Sequence, residues 1–484
     1  MTNITTKMTH KTHLTSGLML PILIGLGSCI NSGNKAPEHP NILVIMTDQQ
    51  SASMMSCTGN KWLKTPAMDA IASEGIRFTC AYATNPVCVP SRFSLQTGRF
   101  PSEIRMRENS SPGIDKAKVQ SLYSKSIGNL FQQAGYQTYY GGKVHLPVNG
   151  SRIKPWGYEP LTLDERDSLA IVCADFLLNR KKEDKPFLLF ASFINPHDIC
   201  YDAIRWAQPD SKLAKNTPEE LDEALQLPEG ISEEEFFRKF CPPLPDNHQP
   251  MIGELSSVDS LIKLRSFRNI VREKWSEKDW RMHRWAYMRL TERVDAQIAI
   301  VMEALKKSGL SENTIVIFTS DHGDHDASHK LEHKTILYEE AANIPFLISY
   351  PWMKQKGIVD NEHLVSNGLD LLPTLCDFAG IQPPTGLMGR SVVPLTKQEK
   401  LTDWPNHIYL ETETGYMIHT GRYKYELDDI GKIREMFVDL KMDKGETKNL
   451  IDSPEYKNTI DSLRSELITS LTNRGIPFNP PVAK

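Results

Sequence analysis

Apolar runs alternate with amphipathic segments along most of the chain. Five runs have the composition of strands buried within a sheet, and they span residues 41–46, 137–140, 187–193, 315–319 and 345–350. Helical periodicity and cap residues between these runs predict helices at 65–74, 126–135, 168–178 and 280–307. The alternation predicts an α/β fold with a large mixed, mostly parallel sheet flanked by helices.

A different pattern begins after about residue 395. Strands predicted at 407–411, 416–426 and 436–440, with a turn at Thr420-Gly421 and a helix at 453–472, indicate a small C-terminal α+β subdomain with an antiparallel sheet. The predicted divisions are 1–29 for a signal peptide, 30–39 for a linker, 40–395 for the main domain and 396–484 for the subdomain. Residues 201–278, rich in charge and proline, are predicted to be an insertion that wraps the surface.

The N-terminus has the features of a secretory signal. Lys7 and Lys11 precede an apolar run at 18–26, which is too short to span a membrane. The run ends in Leu26-Gly27-Ser28-Cys29, which resembles a bacterial lipoprotein cleavage box, so that Cys29 would be lipidated. We therefore predict an exported protein, either periplasmic or an outer-membrane-anchored lipoprotein. The alternative is an ordinary signal peptide that contains a cysteine.

Composition excludes several classes of protein. The 484 residues carry 56 Lys+Arg against 60 Asp+Glu, and 40% of them are hydrophobic, which excludes a disordered, collagen-like or coiled-coil chain. This near balance of charge gives no electrostatic reason to expect a nucleic-acid partner. Seven of the eight cysteines lie beyond Cys29, so at least one must be unpaired, and Cys57 with Cys80 is a candidate disulfide.

Polar residues follow four of the predicted strands. They include Asp48 and Gln49, then Lys143 and His145, then His197 and Asp198, and finally Asp321, His322 and Asp324. Because ligands collect at the carboxyl ends of parallel strands, these residues are candidates for one site. Two carboxylates, an amide oxygen and an imidazole, from Asp48, Gln49, Asp321 and His322, suit a divalent cation. Oxygen donors favour Ca²⁺ or Mg²⁺, and the imidazole favours Mn²⁺ or Zn²⁺.

Between these sites lies the distinctive stretch Cys88-Val-Pro90-Ser91-Arg92. Cys88 has two interpretations from its residue type alone: a small buried side chain at the start of a helix, or a nucleophilic thiol activated by the helix N-terminus and Arg92. The stretch resembles the sulfatase signature, in which the cysteine is oxidised to formylglycine. Gly142-Lys143-x-His145, Pro196-His197, Ser320–Asp324 and Lys334 ahead of Tyr338-Glu339-Glu340 are similar to the same family in the same order.

The resemblance implies an alkaline phosphatase-like fold and a sulfuric ester hydrolase. It implies that a sulfatase-maturating enzyme converts Cys88 to 3-oxoalanine (formylglycine), whose hydrate attacks sulfur on one divalent metal, taken as Ca²⁺ with Mn²⁺ or Zn²⁺ as alternatives. The implied metal ligands are Asp48, Gln49, Cys88, Asp321 and His322. Arg92, Lys143, His145, His197 and Lys334 join Cys88 as implied catalytic residues. Lys143 and Lys334 would hold sulfate oxygens, and His197, or alternatively Lys334, would protonate the leaving oxygen.

The expected substrate is a sulfated sugar or glycan fragment, with Asp198, Arg105 and Arg107 as further candidate sugar contacts. Extra imidazoles at His325, His329 and His333 are expected to shape the pocket. Gln49 and His322 stand where many sulfatases have Asp and Asn, and this pattern is also similar to phosphonate monoester and phosphodiester hydrolases of the superfamily. That activity is one alternative, and a non-catalytic glycan-binding surface lipoprotein is another.

Overall fold

Fourteen strands occur among residues 37–148, 150–166 and 168–480, the part of the chain that the computed structural model describes. The strands are β1 Asn41–Asp48, β2 Gly75–Phe78, β3 Ala81–Tyr82, β4 Gln137–Gly142, β5 Glu159–Thr162, β6 Phe187–Pro196, β7 Thr314–Ser320, β8 Phe346–Ser349, β9 Ile358–Asp360, β10 Val365–Ser366, β11 Ile408–Glu411, β12 Gly415–His419, β13 Tyr423–Asp428 and β14 Glu435–Asp439. The predicted signal peptide, including Cys29, lies outside the described residues.

Sixteen α-helices occur in the same described ranges. They are α1 Pro66–Ser73, α2 Cys88–Thr97, α3 Lys116–Leu122, α4 Ile127–Gln133, α5 Leu169–Leu178, α6 Cys200–Ala207, α7 Lys212–Lys215, α8 Glu219–Ala224, α9 Glu233–Lys239, α10 Ser256–Leu264, α11 Ser266–Lys274, α12 Glu277–Lys307, α13 Glu339–Ala342, α14 Asn367–Ala379, α15 Val393–Thr396 and α16 Lys457–Asn473. In this part of the chain, no helix combines the length and the apolar character needed to cross a membrane.

The main sheet has eight strands in the order β5-β4-β6-β1-β7-β8-β2-β9. The five strands from β5 to β7 are parallel, and β8 is antiparallel to both β7 and β2. Side chains of β1 point alternately to two cores, Ile42 and Val44 to one and Leu43 and Ile45 to the other. Helices cover both faces, because a central strand that is apolar throughout needs two apolar neighbours. The predicted mixed, mostly parallel sheet is confirmed.

A second sheet, β11-β12-β13-β14, is antiparallel throughout, as predicted for the C-terminal region. Apolar residues of β12 and β13, such as Ile418 and Tyr425, share a core with Leu467 and Leu471 of α16. The described residues from 37 to 480 belong to one compact unit, so the division at residue 395 stays a prediction.

Two sequence expectations differ from the structure. The segment 201–278 is not only a surface wrap, because it forms α6–α11 and buries Val271 and Trp275 against Ala327 of the main domain. Cys57 and Cys80 are both free thiols. They pack against different apolar cores, which explains why they do not pair.

Candidate active site

The candidate site lies at the carboxyl ends of the central strands. Thr47 in β1 pairs with Ser320 in β7, so Asp48 and Asp321, the next residue of each segment, leave the sheet side by side. On the other side of β1, strand β6 separates it from β4, and the end of β4 leads directly to Lys143. The parallel topology therefore brings together residues that are far apart in sequence.

Gly142 sets the direction in which the chain leaves β4. Its φ is +86°, and a Cβ atom at this position would lie 2.1 Å from the carbonyl oxygen of Ser192, so only glycine fits. The next residue, Lys143, donates its backbone N–H to that same carbonyl at 2.8 Å. This close approach to β6 directs the Lys143 side chain into the site.

Four buried side chains, Asp48, Cys88, Asp321 and His322, bring one potential ligand atom each within 4.8 Å of one another. His322 Nδ1 donates to the carbonyl oxygen of Gly323 at 2.9 Å, so Nε2 faces the cluster, 3.2 Å from Cys88 Sγ. Such a backbone partner fixes the tautomer and orientation of a metal-binding imidazole. Two carboxylates, an imidazole nitrogen and the position of Cys88 fit one divalent cation.

Arg92 connects the residues of this cluster through four hydrogen bonds. Its Nε donates to Asp321 at 2.7 Å and its Nη2 to Asp48 at 2.9 Å. Its Nη1 donates to the backbone oxygen of Lys143 at 2.7 Å and to the hydroxyl of Ser192 at 2.9 Å. The side chain is 1% exposed, so its charge serves the two carboxylates rather than solvent. Arg92 thus ties three strand ends together.

Two lysines bring positive charge to the cluster, each beside a different member of it. Lys143 Nζ lies 2.7 Å from Asp48, and Lys334 Nζ lies 3.1 Å from Cys88 Sγ. Burial raises the pKa of Asp48, but the charge of Lys143 and other nearby cations lowers it more, so the pKa is well below its usual value. Burial also raises the pKa of Asp321, and the charge of Asp48 adds to the increase. A cation would stabilise both ionised carboxylates.

Cys88 is the first residue of α2 and is 1% exposed. Burial and Asp48 raise the pKa of its thiol, but Lys334, Lys143 and His322 outweigh them, and the pKa lies well below its usual value. The position therefore favours a negatively charged atom. An anionic oxygen in place of the sulfur would gain from the same charges.

Two histidines, His197 and His145, complete the set of predicted catalytic residues. Burial lowers the pKa of His197 to about 4, with the charges of Lys143 and Lys334 adding to the decrease. The imidazole is therefore neutral at pH 7 in the unliganded site, and a bound anion would raise its pKa by opposing the two lysines. His145 is half-buried with a φ of +44°, and its buried Nδ1 has no hydrogen-bond partner among the described residues.

Gln49 lies at the site, but its amide oxygen has other partners. Oε1 accepts hydrogen bonds from Lys334 Nζ at 2.7 Å and from the Cys200 thiol at 3.1 Å, and Nε2 donates to Asp324 at 2.6 Å. Gln49 therefore positions Lys334 here, and its predicted role as a metal ligand stays a prediction. Cys200, which the sequence did not single out, is the missed member of this network.

The candidate sugar contacts are not brought together at the cluster. Asp198 is fully buried, and both of its carboxylate oxygens accept hydrogen bonds from Arg166, at 3.0 and 2.6 Å. Arg105 is exposed and lines a groove of about 890 Å³ beside Arg107, whose guanidinium pairs with Asp429 at 2.6 Å. A role for Asp198 would be to hold Arg166, because its own oxygens are already occupied.

A cavity of about 360 Å³ opens beside the cluster, and it identifies further residues that the sequence did not. Its lining consists of Val87, Asn109, His197, Cys200, Tyr201, Ile204, Leu213, Arg265, Phe267, Arg268, His333, Lys334 and Thr335. Six of these thirteen residues come from 201–278, the segment that was predicted to wrap the surface. Of the three extra imidazoles, His333 lines the cavity, whereas the rings of His325 and His329 pack against Tyr338.

The loop that carries Lys334 has an unusual backbone. Six non-glycine residues between positions 326 and 335 have positive φ, including His333 at +65° and the β-branched Thr335 at +102°. Such conformations cost about 1–3 kcal/mol each and persist only where surrounding contacts hold them. Thr412 provides one such contact, because its hydroxyl donates to the backbone oxygen of Thr335 at 2.6 Å. The loop is therefore held in one conformation around Lys334.

Comparison with known families covers most of the chain. The family model described as "Sulfatase" matches residues 40–381, and the model described as "N-sulphoglucosamine sulphohydrolase, C-terminal" matches residues 327–473. The chain is 31% identical over 472 residues to the Delta 4,5-hexuronate-2-O-sulfatase of Bacteroides thetaiotaomicron, a match that covers 93% of this chain and 92% of that protein.

Solved structures share the same architecture. A 2-O GAG sulfatase superposes with a TM-score of 0.74 and 27% identity, covering 92% of this chain and 95% of the other. The phosphonate monoester hydrolase of Agrobacterium radiobacter superposes with a TM-score of 0.69 at 19% identity, covering 90% and 96%. At that identity, the second match shows a common fold alone.

Proposed function

Since the chain belongs to the sulfatase family, we propose that it hydrolyses the sulfate ester of a sulfated sugar or glycan fragment, using a formylglycine made from Cys88 and one divalent metal. The observation that supports the proposal most is that three side chains surround the sulfur of Cys88. Lys334 Nζ lies 3.1 Å from Sγ, His322 Nε2 lies 3.2 Å from it and the carboxylate of Asp48 lies 3.8 Å from it. A glycan-binding protein without catalysis has no use for such a buried charge arrangement.

The donor set fits the metal that the family uses. Asp48, Asp321 and His322 would hold it together with an oxygen of the modified residue 88, and Gln49 would join if its amide turned away from Lys334. When bound, the cation supplies positive charge that acidifies a coordinated oxygen. Carboxylate oxygens predominate, so we propose Ca²⁺, with Mn²⁺ or Zn²⁺ as the alternatives.

The other residues bind and orient the sulfate. Lys143 and Lys334 would provide ammonium groups for the sulfate oxygens, which offsets the charge that would repel a nucleophile. Formylglycine supplies, as its hydrate, a nucleophilic oxygen and a later route for release of sulfate. His197, which lines the cavity beside Lys334, would donate a proton to the leaving oxygen once the bound anion raises its pKa. His145 orients the hydrate.

The test begins with the state of residue 88. We expect protein produced with a sulfatase-maturating enzyme to contain a peptide with the mass of formylglycine at position 88, and to release sulfate from one member of a panel of sulfated monosaccharides. The matched control is Cys88→Ala produced in the same way, which should release none. Turnover by protein whose Cys88 is an unmodified thiol would overturn the proposal.

The phosphonate and phosphodiester alternative is tested in the same preparation. The pair Gln49 and His322, which this chain has in place of Asp and Asn, is the observation that favours it. Matched aryl sulfate and aryl phosphonate esters keep the leaving group constant. We expect the sulfate to be the better substrate, and a higher kcat/KM for the phosphonate would make that activity the main one.

We further propose that the protein is exported and anchored through a lipid on Cys29. The support is the short apolar run and the lipoprotein-like box at residues 26–29, which lie outside the described part of the chain. Labelled palmitate should enter the wild type and not the Cys29→Ala variant, which should be released from membranes. Equal labelling of both proteins would contradict the anchor.

A further inference from the structure

We propose that Arg265 and Arg268 form a second anion site, which binds a carboxylate or a second sulfate on the same small substrate whose ester is cleaved. The inference rests on the proposed function, because it takes the scissile sulfate to lie at Lys143 and Lys334. The lining of the 360 Å³ cavity contains the cations Arg265, Arg268 and Lys334, and no acidic residue among the described residues that border it. Each arginine is in an ion pair with one carboxylate, Glu413 or Glu332, but both keep N–H groups without a hydrogen-bond partner among the described residues.

Arg268 has hydrogen-bonding capacity that the protein does not use. It is 6% exposed, and its Nη1 donates to the backbone oxygen of Lys334 at 3.3 Å. Its Nε has no hydrogen-bond partner among the described residues, and the carboxylate of Glu332 is 3.7 Å away, beyond good hydrogen-bonding distance. A guanidinium buried with free donors is costly unless a ligand completes its bonding.

Arg265 faces the same cavity from the junction between α10 and α11. Its Nη2 donates to Glu413 at 3.1 Å, while its buried Nη1 has no hydrogen-bond partner in the described ranges. Glu413 thus orients the guanidinium without using all of its donors. The two planar guanidinium groups, with their unused N–H donors, match the oxygens of a carboxylate or a sulfate.

The distance between the two anion positions suits a single sugar unit. Arg268 is bonded to the backbone of Lys334, whose side chain extends from there to within 3.1 Å of Cys88 Sγ. Lys334 therefore connects the two anion positions, since its backbone oxygen accepts from Arg268 and its ammonium group lies beside Cys88. Phe267 and Tyr201 line the same cavity and would provide apolar surface for a sugar ring.

The experiment measures binding separately from hydrolysis. In a Cys88→Ala background, calorimetry would compare three probes that carry the same sulfate: a neutral sulfated hexose, the corresponding sulfated hexuronate and a disulfated hexose. We expect the hexuronate or the disulfated sugar to bind about 10- to 100-fold more tightly than the neutral sugar, the value of one or two charge-assisted hydrogen bonds. Preference for the hexuronate assigns a carboxylate, and preference for the disulfated sugar assigns a sulfate.

Arg268→Met and Arg265→Gln, each added to that background, should abolish the preference while leaving binding of the neutral sulfated hexose within about twofold. Arg272→Gln is the matched control, since it removes an arginine one turn further along α11 that pairs with Glu254 outside the cavity. Equal binding of all three probes, or equal losses for charged and neutral sugars, would overturn the proposal. Absence of sulfate release by the mature wild type would count against the proposed function alone.

Discussion

Replacing Arg92 by methionine tests whether one buried guanidinium holds the site together. The substitution keeps most of the side-chain volume but removes the guanidinium from two fully buried carboxylates, so that Asp321 loses its arginine partner and Asp48 keeps Lys143. Removing one member of a buried ion pair typically costs about 3–5 kcal/mol. Asp321 can take up a proton, since its pKa is already raised by burial and Asp48, so we expect the lower end of this range.

The expected effect can be converted to a melting temperature. At about 2.1 cal/mol/K per residue, a chain of this length has an unfolding entropy of about 1 kcal/mol/K, so about 3 kcal/mol lowers Tm by about 3 °C. The assay is thermal unfolding in chelator and again in excess Ca²⁺. The loss should be larger in chelator, because a bound cation would compensate the same two carboxylates.

The control for Arg92→Met is Lys263→Met, which removes an ion pair that is 65% and 62% exposed. Such a pair contributes about 0–1 kcal/mol, so the control should lose less than about 1 °C. If Arg92→Met were as stable as the control in chelator, Arg92 would not be the structural hub that its four hydrogen bonds indicate.

Three further outcomes follow from the same geometry. We expect kcat to fall by about 10²–10³-fold in Lys334→Met and in Lys143→Met, because each variant removes one preorganised charge. The control Lys330→Met, in the same loop as Lys334, should keep its kcat. An equal loss in all three variants would indicate a general effect on folding. Removal of the metal with a chelator should abolish sulfate release. It should also lower Tm by about 3 °C if the metal was present at about 100 times its Kd. Recovery of activity with Mn²⁺ but not with Ca²⁺ would contradict the calcium assignment. Burial lowers the pKa of His329 to about 3, so the unfolded chain takes up its proton first and stability is lost as the pH falls below about 6.5. Urea unfolding at about pH 7 and about pH 5 should therefore show a smaller loss for His329→Gln than for the wild type, and an identical loss would refute a neutral, buried His329.

The central strands were predictable because burial on both faces leaves a continuous apolar signal. The last two strands of the sheet, β2 and the edge strand β9, were not, since each is short and carries polar residues such as Arg77 and Asp360. Gly75 has a second role that the sequence does not show. It follows the helix predicted at 65–74, and it also begins β2, where a Cβ atom would lie 2.1 Å from the backbone oxygen of Ile348. That requirement comes from β8, nearly 275 residues away, and no local pattern reports it.

The cluster was predictable for a different reason. Asp48, Lys143 and Asp321 each follow a recognisable strand, and parallel topology sends all such ends to one edge. Arg265, Arg268 and Cys200 have no such marker, because the helices that carry them are short and amphipathic and could pack on any surface. The sequence therefore predicts the residues that follow the central strands. It does not predict the cavity-lining residues that the inserted helices contribute.

The C-terminal sheet contributes to the site without reaching it. Lys424 in β13 is fully buried, and its Nζ donates to the backbone oxygen of Leu337 and to Glu446, each at 2.6 Å. Glu446 in turn accepts the backbone N–H of Glu339 at 2.7 Å. These bonds fix the chain just after Lys334, whose loop has the strained backbone described above. Contacts from residues beyond 395 thus offset the free energy of the strained backbone that holds Lys334 beside Cys88. The site therefore depends on both the main domain and the C-terminal subdomain that the sequence pattern predicts.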